Sequence, residues 1–247
     1  MGARLNSAAA EGNHQRPPLP MPMPLTISPD AAAAAPVMPG LAACGLACRR
    51  GRRLLFRGLD LQLASGTVTW LRGANGSGKT SLMRILAGLT QPAEGAVSWD
   101  GMPLRRSGAD AQRKLLYIGH ANALKDDLSL SESLAFLARL AGLDQADARA
   151  RAALSQVGLT SRTDAAVRTL SQGQRRRGAL ARLVLDDAPR AWILDEPYDA
   201  LDMASVAWLT GVIEAHRQRG GAVLLTSHQA VPLPQALEFD LEPWCVA

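Results

Sequence analysis

From residue 41 onward the chain alternates short apolar runs with segments whose apolar residues recur at helical spacing. Residues 41–48 and 54–63 read as two strands. Between them Arg49-Arg50-Gly51-Arg52-Arg53 reads as a basic hairpin turn. Ser65-Gly66 turns the chain into a short strand at 67–71. Leu82, Ile85, Leu86 and Leu89 then fall on one helix face, which predicts a helix from Lys79 to about Leu89. A turn at 91–95, a strand at 96–99 and a turn at Asp100-Gly101 follow. Residues 115–118 form an apolar strand that stops at Gly119-His120.

The character then changes. Residues 129 to about 140 and 144–157 read as helices, with Gly142 and Gly158 as stops. Arg149, Arg151 and the nearby Asp residues read as a solvated helix face. Thr169 to Gln174 lead into a helix ending near Asp186. Residues 191–194 are an apolar strand closing on Asp195-Glu196, and a helix runs from Asp202 to about Arg219. Residues 221–226 are a last strand before Ser227-His228. Alternating strands and helices predict a mostly parallel sheet.

Residues 1–40 break this pattern. Pro17 to Pro24, the alanines 31–35 and a shortage of β-branched and aromatic residues cannot bury enough apolar surface to offset the entropy of ordering. The segment reads as disordered, and the prolines and Asp30 interrupt every candidate signal peptide. Met38 offers an alternative start.

Composition adds little. A formal charge of +5, carried mostly by arginine, suits nucleic acid, lipid headgroups or a phosphate ligand, and an Arg- and Ala-rich composition accounts for it equally well. The three cysteines, Cys44, Cys48 and Cys245, lack the second pair that a zinc site needs, so they read as buried thiols in a reducing compartment. No apolar run reaches about 18 residues, so no spanning helix is predicted, and any work at a membrane passes through partners.

The sharpest motif is Gly73-Ala74-Asn75-Gly76-Ser77-Gly78-Lys79-Thr80, followed by Ser81. Its form, G-x-x-x-x-G-K-[ST] between a strand and a helix, is that of a phosphate-binding loop. Glycines let successive N–H groups turn inward on an anion, and the helix start adds its positive dipole end. Lys79 reaches the terminal phosphates as a point charge, and the Thr80 hydroxyl suits Mg²⁺. At the end of strand 191–194, Asp195 is placed to hold that metal and the adjacent Glu196 to deprotonate water.

Leu170-Ser171-Gln172-Gly173-Gln174 carries a resemblance. It is similar to the Leu-Ser-Gly-Gly-Gln signature of the ATP-binding cassette (ABC) ATPases, with Gln172 departing from Gly. Ala200-Leu201-Asp202 resembles that family's D-loop and His228 its switch histidine, and the likeness spans about residues 41–230. The resemblance implies an α/β, P-loop NTPase fold with a mostly parallel sheet core, a small antiparallel β subdomain and a helical subdomain at about 121–178. It further implies ATP and Mg²⁺ as ligands. Residues 170–174 would complete the ATP site of a second subunit, making a head-to-tail homodimer under membrane permease subunits. Glu196 and His228 take the catalytic roles, with Thr80 and Asp195 at the metal.

Two positions depart from the family. His120 stands where a Gln is usual; because Mg²⁺ favours oxygen, His120 acts through water or touches a partner. Arg49 and Arg50 stand where an aromatic ring often meets adenine, which leaves base selectivity open.

Ile118-Gly119-His120, the segment 128–134, residues 174–183 and residues 192–202 are most similar to the ATP-binding subunits of the haem exporters of bacterial cytochrome c biogenesis. That implies a peripheral protein on the cytoplasmic face of the inner membrane, with haem-handling maturation proteins as further partners and no nucleic acid. The alternatives are the ATPase of another ABC exporter and a soluble, non-transport ABC ATPase.

Overall fold

The computed structural model describes residues 40–104, 114–186 and 191–246. The chain divides into two units, Met1–Pro36 and Val37–Ala247. The expectation of disorder before residue 40, and with it Met38, falls outside the described residues.

Two sheets build the second unit. Strands β1 (Leu41–Arg50), β2 (Arg53–Leu63), β4 (Glu94–Trp99) and β5 (Met102–Pro103) form an antiparallel sheet in the order β2-β1-β4-β5. Strands β3 (Val68–Arg72), β6 (Leu115–Ile118), β7 (Ala191–Leu194), β8 (Ala222–Thr226) and β9 (Leu237–Asp240) form a parallel sheet in the order β6-β7-β8-β3-β9. Every residue of β7 and β8 is buried, which is why both read as unbroken apolar runs rather than alternating ones.

Five α-helices complete the described unit: α1 (Lys79–Leu86), α2 (Leu130–Leu140), α3 (Ala146–Gln156), α4 (Gln172–Leu180) and α5 (Met203–Gln218). Ser129 with Glu132, and Ser171 with Gln174, form capping boxes at the starts of α2 and α4, and Asp202 caps α5. Leu130, Leu134, Ala150, Leu154 and Val167 gather into an apolar cluster around α2 and α3. Trp192, Leu194, Leu209, Ile213 and Val223 form another, between α5 and the parallel sheet.

Several boundaries differ from the sequence reading. The hairpin pairing runs out to Arg50↔Arg53, so the turn is only Gly51-Arg52 and three of the five residues read as a basic turn, Arg49, Arg50 and Arg53, belong to the strands. Helix α1 stops at Leu86 because Gly88, at φ 72°, turns the chain, and Leu89 is left exposed. Helix α3 starts two residues late because Gln145 is left-handed at φ 52°. The helix expected to run to Asp186 ends at Leu180 and tightens into a 3₁₀ turn at Ala181–Val184. Cys44 is exposed, against the expectation of buried thiols; Cys48 is buried, Cys245 is partly buried, and all three are free.

Strand β9 was not anticipated. It lies against the outer edge of β3, and the residues after it fold back under the phosphate loop.

Candidate nucleotide site

Three neighbouring strands of the parallel sheet, β7, β8 and β3, end at one edge. The Gly73–Thr80 loop follows β3, Asp195-Glu196 follows β7, and Ser227-His228 follows β8. Ligands of open α/β sheets bind at such carboxyl-terminal edges.

The loop has the backbone its glycines permit. Gly73, Gly76 and Gly78 take φ values of 141°, 83° and 108°. A side chain at Gly78 would meet the Phe56 ring at 3.2 Å, and one at Gly73 would meet Leu241 at 3.3 Å, so the loop also sits close against its support. Lys79 Nζ donates to the Gly73 and Ala74 carbonyls at 2.8 and 3.1 Å, and Ser77 N–H donates to the Ala74 carbonyl at 3.2 Å. No acid stands in the first turn of α1, so its positive end faces the loop unopposed.

The two acids follow β7. Asp195 is 3% exposed. Its Oδ1 accepts from the Thr226 hydroxyl at 2.9 Å, while Oδ2 is buried without a hydrogen-bond partner among the described residues. A carboxylate oxygen left free in this way fits a hard cation. Glu196 is 8% exposed and left-handed, at φ 50°. Its N–H donates to Thr226 Oγ1 at 2.9 Å, so one hydroxyl fixes both acids. Its Oε2 accepts from the His228 N–H at 3.0 Å, and His228 Nε2 lies 3.6 Å from Oε1. Burial pushes the Glu196 carboxyl above the ordinary carboxylate range; His228 opposes the rise, and Asp199 adds to it. That moves it toward the range useful for a base near neutral pH.

These groups share an open cleft of about 480 Å³. Asn75, Gly76, Gly78, Lys79, Thr80 and Ser81 of the loop line it, together with Asp195, Glu196, His228 and His120. Arg50, Arg53 and Leu55 complete the lining, Leu55 lying close to Gly78 of the loop. Arg49, the other arginine of the expected base position, turns instead to donate to the Arg52 carbonyl at 3.5 Å. Arg53 went unnoticed as a site residue because its place depends on pairing across the hairpin with Arg50.

Leu170, Ser171, Gln172, Gly173 and Gln174 do not line this cleft. Ser171 Oγ accepts from the Gln174 N–H at 3.3 Å and Gln174 Oε1 accepts from the Ser171 N–H at 3.0 Å, so the motif forms the exposed start of α4. Asp202 likewise lies outside the cleft, and its Oδ1 accepts from the Ser205 N–H at 2.8 Å.

Arg176 was also missed. It is 4% exposed and donates to the carbonyls of Gly119 (3.0 Å), Asp195 (2.9 Å) and Glu196 (2.6 Å) and to Asn122 Oδ1 (3.3 Å). Burial draws its pKa down from the usual guanidinium value, and Asp199, Asp195 and Glu196 oppose that. In sequence it was one arginine among three, with nothing to mark it as buried.

Residues 56–199 match the ABC transporter family. The cytochrome c biogenesis ATP-binding export protein CcmA of Dechloromonas aromatica (strain RCB) is 49% identical over 201 residues, which cover 81% of this chain and 98% of that protein. The protein of the same name from Pseudomonas fluorescens (strain Pf0-1) is 47% identical over 210 residues, covering 84% and 99%. Among solved structures, the ATP-binding subunit of an ABC transporter superposes with a TM-score of 0.69 at 25% identity, over 76% of this chain and 79% of that one. A dimeric ATP-binding cassette bound to ADP and Pi, in a post-hydrolysis state, shares the fold with a TM-score of 0.68 at 20% identity, over 76% and 88%.

Proposed function

The chain belongs to the ABC transporter family of ATPases, and we propose that it is the ATP-hydrolysing subunit of the haem exporter that serves cytochrome c biogenesis. The near full-length likeness to export proteins of that name supports the assignment. In this reading permease subunits hold the protein at the cytoplasmic face of the inner membrane, as the transporter role requires; no described helix is long and apolar enough to cross a membrane.

The observation that carries the mechanism is that the cleft is half a site. It holds the phosphate loop, Asp195, Glu196 and His228, while Ser171–Gln174 present their helix start elsewhere. Two chains placed head to tail bring the α4 start of each over the cleft of the other and complete two sites at once.

Within one cleft, backbone N–H groups from Gly73 to Ser81 hold the phosphates, and Lys79 exchanges its loop carbonyls for phosphate oxygens. Thr80 and Asp195 Oδ2 would hold Mg²⁺, which neutralises charge on the terminal phosphates when bound. Glu196 takes the proton of the attacking water, and His228, clasped to Glu196 through its N–H, faces the γ-phosphate. Phosphate loss removes the group that Ser171 and His228 share, so the dimer opens and drives the permease.

The test is the Glu196→Gln variant. It is expected to bind ATP, to hydrolyse it about 10²-fold or more slowly, and to sediment as a dimer with ATP and Mg²⁺ but as a monomer without them. Near-normal turnover would sink the role of Glu196. Co-purification from membranes, with the bound permease identified, tests the transport assignment separately.

A further inference from the structure

The lining of the cleft falls into two chemically distinct groups. One, the phosphate loop with Asp195, Glu196 and His228, is taken up by the phosphates and the attacking water. The other, Leu55, Arg50 and Arg53, is left for the nucleoside. This division rests on the function proposed above.

The group left for the nucleoside is unusual in charge. Arg50 and Arg53 are backbone partners across the last rung of the β1–β2 hairpin, so their side chains emerge together. Neither guanidinium has an ion-pair or side-chain hydrogen-bond partner among the described residues. Apart from histidines, no aromatic ring lines the cleft among the described residues. Leu55, which lines the cleft with the two arginines, is 8% exposed and offers an apolar side chain.

A guanidinium donates hydrogen bonds and accepts none. On the N7 edge of adenine it meets one acceptor, N7, and beside it an amino group that needs an acceptor. Against a purine with a carbonyl at C6 it meets two adjacent acceptors, O6 and N7, which its planar fork can span. If an arginine instead stacks on the ring, adenine and its 6-oxo counterparts bind about equally, because every base offers a π-face. Neither geometry selects for adenine. The carboxylates of the cleft that could accept from its amino group, Asp195 and Glu196, are committed to the metal and the attacking water in the function proposed above.

We propose that this cleft takes 6-oxopurine nucleoside triphosphates at least as well as ATP, with Arg50 and Arg53 as the base-reading residues. The experiment measures kcat/KM for ATP, GTP and ITP with Mg²⁺ on the full chain. ITP carries the C6 carbonyl without the second amino group of guanine, so it isolates the group in question. GTP and ITP are expected to match or exceed ATP. The Arg50→Ala/Arg53→Ala double variant is expected to lower the GTP/ATP and ITP/ATP ratios by about tenfold, the range of one lost bidentate contact. A tenfold or greater preference of the natural chain for ATP overturns the proposal, as do ratios unchanged in the double variant. Hydrolysis of none of the three would instead overturn the ATPase reading on which the proposal stands.

Discussion

Arg176 donates to the backbone carbonyl of Glu196 at 2.6 Å, and the same nitrogen donates to the Asp195 carbonyl at 2.9 Å. The other terminal nitrogen holds the Gly119 carbonyl and Asn122. One buried side chain on α4 thereby joins the helix capped by Ser171 to the turn that carries Glu196 and to the end of β6. Glu196 sits at φ 50°, a backbone that a non-glycine residue keeps only when its surroundings hold it.

Removing that hold should act on rate more than on binding. Arg176→Lys keeps the charge but loses the fork, and it is expected to lower kcat about 10- to 100-fold while KM for ATP stays within a few-fold. Arg176→Ala should also lower Tm, because buried carbonyls lose their donor. Steady-state kinetics beside thermal melting separates the two effects. A KM change with kcat intact would show that Arg176 supports binding and does not position the base.

Glu196 carries a pH signature. Because burial raises its pKa, hydrolysis should fall as the pH drops through a value above the ordinary carboxylate range. The linkage has the same origin: a group whose pKa is raised on folding contributes stability that is present below its unfolded value and lost as pH rises through the folded value. Glu196→Gln should therefore melt higher than the natural chain at pH 8, with the difference vanishing toward pH 4. Equal melting temperatures across that range would contradict the buried-carboxylate account.

The exposed start of α4 tests the shared site. Ser171→Arg should block the ATP-dependent dimer of the Glu196→Gln background while leaving monomer binding at Lys79 nearly intact, since residues 171–174 do not line the cleft of their own chain. Sedimentation and fluorescent-nucleotide titration measure the two separately. Lost binding in the monomer would place residue 171 in its own chain's site.

Behind the phosphate loop, Leu241 is fully buried, and Cys245 Sγ lies 3.7 Å from the Ser77 carbonyl. The Val246 N–H also donates to the Leu55 carbonyl at 3.0 Å. Leu241→Ala should cost about 2–5 kcal/mol of stability and raise KM for ATP several-fold, because the support under Gly73 loosens. Denaturant unfolding and kinetics check both; unchanged KM at reduced stability would show that the segment braces the sheet alone.

Much of the candidate site was legible along the chain because it is local. A phosphate cradle needs glycines, a lysine and a hydroxyl within eight consecutive positions after a strand, and residues 73–80 have them. The capping of α4 by Ser171 and Gln174 is equally local, as is the apolar run of β7 that ends in Asp195-Glu196. Each of these depends on neighbours a few residues away, which periodicity and spacing can express.

What the sequence left undecided involves partners far apart. The place of Arg176 among three arginines depends on carbonyls 19, 20 and 57 positions away, and only folding makes one of the three nearly inaccessible. The pairing of Arg50 with Arg53 at the cleft follows from hairpin register, while Arg49 donates to the Arg52 carbonyl of the turn. Strand β9 pairs with β3 across about 170 residues, and its pattern is too short and too exposed to mark it as a strand. Hydrogen bonding across such separations is decided by which edges and carbonyls packing leaves open, and no local rule of the chain encodes that.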